Sequence, residues 1–381
     1  MRPLMAGGIG RVSIGLLALV PLSLVLKVLG ASDLVVFAAA GLAVIPLAHL
    51  MGVATDEIGK HAGPGIGGFL NATFGNATEM IIALAALIRA GSLIAAGDPA
   101  SLAGGERLVE VVKASITGSI IGNILLVLGL SMLVGGLKHR TQTFSVKAAE
   151  IQVTMMALAV SALVMPELFQ LSYCQATPAL CTGAGPLPNA SLWISGILLV
   201  GYALGLLFSL HTHKDIFNPV TQAQERPRWN LRFAIAVLVG ATALVALVAE
   251  VLVGAVEGVT QGLGLTEIFM GVMIIAIIGN AAEHGTAVIM AHRNKMDLSV
   301  GIATISSAQV ALFVTPVLVL ASFALGAPMT LAFEVFELVA IILSVVVVSQ
   351  IAKDGESNWY EGVLLLLLYA IIGVGFYFHP P

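Results

Sequence analysis

Charged residues are unusually scarce in this sequence. Only 10% of its 381 residues are Asp, Glu, Lys or Arg, whereas soluble domains carry about 25%. Hydrophobic residues make up 58% of the chain, and its mean hydropathy is +1.02. This balance excludes an ordinary soluble domain and indicates an integral membrane protein in contact with the lipid bilayer.

Other scarcities exclude further classes. There is no basic run and the net charge is −4, so nucleic acid is not an expected partner. Residues that bind soft metals are few, with eight histidines and only two cysteines, Cys174 and Cys181. A soft-metal site is therefore disfavoured. An intramembrane metalloenzyme is a remote alternative, because the chain has no H-E-x-x-H motif. We expect no enzymatic activity and no bound cofactor. Whether the two cysteines form a disulfide stays open.

Eleven apolar stretches are long enough to cross a bilayer as helices, which takes about 20 residues each. The first follows Arg2 and Arg11 without a cleavage site, so we interpret it as a retained span. An all-α membrane protein with short connectors is predicted. The spans lie near 12–31, 33–53, 66–90, 108–136, 146–165, 191–210, 231–253, 267–291, 298–323, 330–350 and 360–378.

The distribution of basic residues predicts the orientation. With a cytoplasmic N-terminus, only Lys27, Arg89, Arg107 and Lys113 of the 17 Lys and Arg residues fall outside. Because cytoplasmic loops are enriched in Lys and Arg, we predict the N-terminus inside and the C-terminus outside. The expected location is a multi-pass cell membrane protein, most simply in a prokaryotic inner membrane.

One short motif occurs twice, as GNATE at 75–79 and GNAAE at 279–283. The matched residues are Gly75 with Gly279, Asn76 with Asn280, and Glu79 with Glu283. The motifs lie five spans apart and therefore cross the membrane in opposite directions, which predicts an inverted-topology repeat. The predicted parts are an N-terminal segment with span 1 (1–31), a first repeat with spans 2–6 (32–210), a linker (211–230) and a second repeat with spans 7–11 (231–381).

The two acids suggest what such a repeat is for. An ionised carboxylate costs several kcal/mol at the centre of a bilayer, roughly 3 on the insertion scale. Glu79 and Glu283 have no basic residue near them in either span. One divalent cation or two protons would neutralise the pair equally well. A site that holds either one or the other is an exchanger, so we predict a secondary transporter with its site at the membrane midplane.

The neutral polar residues nearby suit a hard cation. Ca²⁺ takes about 6–8 oxygen ligands, more than two carboxylates supply. The small residues before each acid, Gly75 and Gly279 among them, are expected to let the helix unwind and free carbonyl oxygens. Further candidate oxygen ligands are Asn71, Asn76, Asn280, Ser119, Asn123, Ser306, Ser307 and Gln309. Such residues also serve close helix packing alone, and that alternative stays open.

Five further polar residues are less decisive. His284 follows Glu283 and therefore points along another side of the helix, where it either tunes proton affinity or simply packs. Glu334 and Glu337 stand at the outer start of span 10, where they either recruit cations at an outer mouth or cap a solvated helix end. Asp56 and Glu57 are expected to be solvated at the start of an inside loop.

At these residues the sequence resembles the cation/proton exchanger (CAX) family of the Ca²⁺/cation antiporter superfamily. The resembling stretches include GGFLNATFGNATEMIIAL at 67–84 and GNAAEHGTAVIMAHRNKMDLSVGIATISSAQVALFV at 279–314. The resemblance implies Ca²⁺/H⁺ antiport by alternating access, with Ca²⁺ and H⁺ as substrates. It carries the motif acids over to Glu79 and Glu283, the motif asparagines to Asn76 and Asn280, and the motif histidine to His284. The acidic stretch that many relatives have between the two halves is missing here, since 211–230 holds only Asp215 and Glu225.

Alternative functions remain at this point. An exchanger that uses Na⁺, or one that carries Mn²⁺, is the nearest alternative, and a cation channel is a remote one. GNATE and GNAAEH lack the extra acids or serines of sodium-using relatives, which favours protons. The oligomeric state is open, with a homo-oligomer as one alternative.

Overall fold

A computed structural model describes residues 15–174, 177, 185–213 and 226–379. The regular secondary structure of these residues is helical apart from two short strands. The helices are α1 Leu19–Val28, α2 Asp33–Ala62, α3 Pro64–Phe74, α4 Ala77–Ala96, α5 Pro99–Ile121, α6 Leu128–His139, α7 Val146–Phe169, α8 Pro186–Leu207, α9 Leu231–Leu263, α10 Glu267–Phe269, α11 Ala276–His292, α12 Met296–Gln309, α13 Thr315–Ala324, α14 Val335–Ile351 and α15 Trp359–Phe378. The strands are β1 Thr141–Thr143 and β2 Glu356–Asn358.

Five π-helical segments of five or six residues extend or connect these helices in the described part of the chain. They are Gly122–Val127, Gln170–Cys174, Phe208–Thr212, Met270–Ile275 and Val310–Val314. Such short π-helical segments are rare and often occur at functional sites. Within the described part of the chain, nine helical stretches are long and apolar enough to cross a membrane. Two shorter apolar helices, α1 and α14, coincide with predicted spans 1 and 10. Membrane-spanning helices are thus confirmed, while a total of eleven crossings stays a prediction.

One predicted span and one predicted loop differ from the observed structure. The expected span at 66–90 is divided into α3 and α4, with a turn at Gly75 and Asn76 between them. The expected loop at 91–107 is largely helical, because the Asp98 side chain accepts the N–H of Ser101 (3.0 Å) and caps α5 at Pro99. Cys174 is disulfide-bonded, and Cys181 lies outside the described residues.

The described chain forms two compact units, whose boundaries cut across the predicted repeats. The division into repeats therefore stays a prediction. Unit 1 comprises 1–86, 205–265 and 278–282, and unit 2 comprises 87–204, 266–277 and 283–381.

Two long helices, α2 and α9, form the main packing pair of unit 1. The side chain of Asn230 caps α9 by accepting the N–H of Phe233 (2.8 Å), and Gly264 ends it in the left-handed conformation (φ 64°). The next helix, α3, turns back against the end of α2, where Gly59 and Gly67 meet without side chains. A Cβ added at Gly59 would lie 2.9 Å from the Gly67 Cα, so both positions require glycine.

Unit 2 is built around α5, α7 and α12. The α5 helix packs against the π-helical segment Met270–Ile275, α7 packs against α12 and α14, and α6 packs against α15. The strands β1 and β2 pair antiparallel, with Gln142 opposite Ser357. An all-α prediction misses this pair, because its strands belong to two loops that meet only in the folded chain and satisfy each other's backbone polar groups.

Glu57 corrects the prediction of a solvated loop start. It lies inside α2, which continues to Ala62, and its side chain is almost fully buried. One carboxylate oxygen accepts the backbone N–H groups of Arg228 (2.6 Å) and Trp229 (2.8 Å), and the other pairs with Lys60 (3.1 Å). The end of α2 is thereby fastened to the segment that leads into α9. Asp56 is exposed as expected and also pairs with Lys60.

We expect Glu57→Ala to lower the free energy of unfolding by about 3 kcal/mol, because two buried backbone N–H groups and Lys60 lose their acceptor. The matched control is Asp56→Ala, which removes the other, exposed partner of Lys60 and should change stability by less than about 1 kcal/mol. Thermal unfolding of both variants in one detergent measures the difference. Equal midpoints for the two variants would contradict this assignment.

Candidate functional site

The first motif lies at a break between two helices of unit 1. The chain turns at Gly75 and Asn76, and Glu79 then falls in the first turn of α4. Asn76 and Glu79 are buried, with 2% and 4% of their surfaces exposed. A helix N-terminus carries partial positive charge and free N–H groups, so this position favours a carboxylate. The predicted interruption of the helix before the first acid is present as a turn at Gly75 and Asn76, while the release of carbonyl oxygens toward an ion stays a prediction.

The second motif differs from the first in its backbone. Gly279 and Asn280 lie inside the continuous helix α11, so the predicted unwinding directly before the second acid is wrong. The irregular part comes earlier, at the π-helical segment Met270–Ile275. In unit 1, Gly279 lies against Glu79, since a Cβ added there would be 3.5 Å from the Glu79 Cβ. The backbone of one motif thus contacts the acid of the other.

Glu283 has its described partner within unit 2. The hydroxyl of Ser306, which is buried on α12, donates a hydrogen bond to Oε2 of Glu283. Glu283 itself is half-buried. Ser306 was predicted as a flanking residue, and this contact places it directly on the acid.

The polar residues of α5 and α12 approach one another in unit 2. Ser119 and Asn123 are buried, and Ser307 donates to the carbonyl oxygen of Ala303 (2.9 Å) and approaches that of Ile120 (3.4 Å). Both helices continue into π-helical segments, at Gly122–Val127 and Val310–Val314. The wider turns of these segments alter the regular pattern of carbonyl hydrogen bonds beside the polar residues. Gln309 ends α12 and is half-buried.

Other predicted residues lie apart from these contacts. Asn71 and Gly75 are exposed. His284 is half-buried, and its buried Nε2 has no hydrogen-bond partner among the described residues. Glu334 is exposed, but Glu337 is buried, so a solvated helix end is the wrong description of Glu337. The two form a reciprocal capping box at the start of α14.

Two polar contacts of the site region escaped the sequence analysis. The Thr304 hydroxyl on α12 donates to Oε1 of the buried Gln152 on α7. Gln142 donates to the carbonyl oxygen of Ala291 and to Oδ1 of Asn294, both at 2.9 Å. Gln152 is a visible signal, because it lies in an apolar span. The partners of both glutamines lie about 150 residues away, so no local pattern identifies them.

The charged and metal-ligating side chains do not by themselves make a metal centre. No group of three or more His, Cys, Asp or Glu side chains in the described residues is arranged to hold a metal ion. A hard cation bound in this region would therefore need neutral oxygens from asparagine, serine or the backbone, as the sequence analysis expected.

Several helices long and apolar enough to cross a membrane, with buried acids among the described residues, define a polytopic membrane protein. Comparison with known proteins identifies the family. A family model described as "Sodium/calcium exchanger protein" matches residues 32–211 and 233–378. The chain belongs to this family.

Close relatives cover almost the whole chain. A "Ca(2+)/H(+) antiporter" of Synechocystis is 42% identical over 390 residues, which cover 97% of this chain and 98% of the relative. The "Ca(2+)/H(+) antiporter ChaA" of Bacillus subtilis is 41% identical over 94% of this chain and 96% of its own length. Among solved structures, native YfkE superposes with a TM-score of 0.79 at 38% identity, covering 97% of this chain and all of that one. The resemblance to cation/proton exchangers is confirmed.

Gly118 on α5 provides a test of this packing. A methyl group there would lie 2.7 Å from the carbonyl carbon of Val272, whereas one at Gly122, a turn later, would meet nothing within 4 Å. We expect Gly118→Ala to destabilise the protein by about 1–3 kcal/mol, and Gly122→Ala to be neutral or stabilising. Thermal unfolding compares the two variants, and equal stability would refute the close approach of α5 to Met270–Ile275.

Proposed function

We propose that this chain is a Ca²⁺/H⁺ antiporter that moves Ca²⁺ out of the cytoplasm in exchange for protons. The supporting relatives are named Ca²⁺/H⁺ antiporters and share about two residues in five with this chain over nearly its full length. The observation that carries the proposal at the level of residues is the burial of Glu79 at a helix break, with Gly279 of the second motif against it.

The chemistry follows from the cost of charge. A buried carboxylate is stable when a cation or a proton neutralises it. Glu79 and Glu283 together balance one Ca²⁺ or two protons, so the same two groups can carry either load in turn. Asn76, Asn280 and the serines of α5 and α12 would add neutral oxygens to a bound Ca²⁺.

The transport cycle rests on the predicted topology. Eleven spans with two inverted five-span repeats would place the two motifs on oppositely directed helices near the midplane. Alternating access then exposes the acids to one side of the membrane at a time. With a cytoplasmic N-terminus, Ca²⁺ enters from the cytoplasm and protons arrive from outside.

Sodium-driven exchange is the second candidate, because the matching family is described as a sodium/calcium exchanger family. The residues at the acid motifs, GNATE and GNAAEH, favour protons, and the relatives named above are proton antiporters. The two functions differ in the gradient that drives Ca²⁺ movement.

Flux into everted membrane vesicles separates these functions. We expect a pH gradient to drive Ca²⁺ uptake and a sodium gradient alone to drive none. Glu79→Gln and Glu283→Gln should each abolish uptake, because an amide can neither ionise nor carry a proton. The control is Glu250→Gln, which changes an exposed acid on α9 and should leave uptake intact.

Two results would contradict the proposal. Uptake driven by sodium without a pH gradient would make the protein a sodium exchanger. Full pH-driven uptake by Glu79→Gln would remove that residue from the transport site.

Ser306 provides a finer test of the second acid. Loss of its hydroxyl removes the hydrogen bond that orients Glu283, so we expect Ser306→Ala to weaken the apparent Ca²⁺ affinity by roughly 10-fold to 100-fold. Ser299→Ala is the matched control, since Ser299 is buried on the same helix and its hydroxyl makes no hydrogen bond among the described residues. Concentration-dependent uptake measures both variants. An unchanged affinity for Ser306→Ala would show that this hydrogen bond does not organise the site.

A further inference from the structure

Two buried acids of unit 2 lie outside both motifs. Glu167 on α7 and Glu337 on α14 are 5% and 1% exposed, and their helices pack against each other. Oε2 of Glu337 accepts the N–H of Glu334 (3.0 Å), but its Oε1 has no hydrogen-bond partner among the described residues. The same holds for Oε2 of Glu167.

A single lysine interacts with both acids. Lys113 on α5 forms an ion pair with Glu110 (3.0 Å) and also interacts electrostatically with Glu167 and Glu337. Its side chain is only 12% exposed. One positive charge therefore faces three carboxylates, which leaves an excess of negative charge if all three are ionised.

The surrounding groups do not remove this excess of charge. The hydroxyl of Thr117 donates to the carbonyl oxygen of Lys113 (3.2 Å) and also lies within reach of Glu337, but it is neutral and adds no positive charge. Glu334 is half-exposed and adds negative charge near Glu167. His379, which follows α15, lies 3.7 Å from Glu334.

The capping role of Glu337 does not require a charge. A glutamine at the third helical position makes the same reciprocal capping bond as a glutamate. Burial of an ionised carboxylate without adequate partners costs several kcal/mol, and uptake of a proton avoids that cost. The neutral acid also gains an O–H group that can donate a hydrogen bond.

We propose that Glu337 is a proton-binding site in addition to the two motif acids, and that it is held neutral while Glu110 and Glu167 share the charge of Lys113. In the predicted orientation this site lies toward the outer end of unit 2, the side from which the proposed antiport takes its protons. Its existence does not depend on the transport assignment, because the proton is bound whether or not Ca²⁺ moves.

Infrared spectroscopy of the full-length protein in lipid nanodiscs, without Ca²⁺, tests the site directly. A protonated carboxyl group has a C=O stretch that is distinct from the bands of carboxylate. We expect Glu337→Gln to lose one protonated-carboxyl signal at neutral pH. Glu334→Gln, which removes the exposed acid of the same capping box, should retain it. Retention of the full signal by Glu337→Gln would overturn the proposal.

Lys113→Gln tests the same site in the opposite direction and does not depend on the folding of the first variant. Lys113 interacts with both acids, so its removal disfavours their ionised forms. The protonated-carboxyl signal should then persist to higher pH than in the unmodified protein. Lys353→Gln, at an exposed lysine, should cause no shift. An unchanged titration in Lys113→Gln would likewise overturn the proposal, whatever the vesicle experiments show about Ca²⁺.

Discussion

The desolvation of carboxylates is the constraint on which this structure depends. Each buried acid in an apolar helix needs a neutralising partner, and the chain meets that need in different ways. Glu57 accepts two backbone N–H groups and a lysine, while Glu283 accepts the hydroxyl of Ser306. Glu79 lies at a helix N-terminus, where the backbone favours negative charge. The first solution fastens two segments, whereas the motif acids are the ones proposed to exchange their neutralising ion.

Close approach of the backbone is the second requirement. Gly118 brings α5 against the π-helical segment that leads into α11, and Gly279 leaves room for Glu79. Small residues allow membrane helices to approach closely, and the resulting contacts have little tolerance for added volume. The residues proposed to bind the ion are therefore positioned by the helices themselves and not by surface loops.

The predictable features were those with a local signal. Long apolar runs identified the candidate membrane helices. The repeated motif identified Glu79 and Glu283 as unusual acids within apolar helices. The burial of Glu57 was not predictable, because its partners, Arg228 and Trp229, lie about 170 residues away. The same reason explains why Gln152 could not be assigned from the sequence. An interruption of the helix was expected at both motifs, since small residues precede each acid, yet α11 continues through the second one.

This difference between the motifs bears on how closely a short sequence determines its own backbone conformation. The first copy has to end one helix and begin another at Gly75 and Asn76, whereas the second copy has to remain helical through Gly279 and Asn280. Identical residues in the two motifs therefore adopt different backbone conformations. A substitution that is acceptable in one motif need not be acceptable in the other, because each position has its own structural constraints.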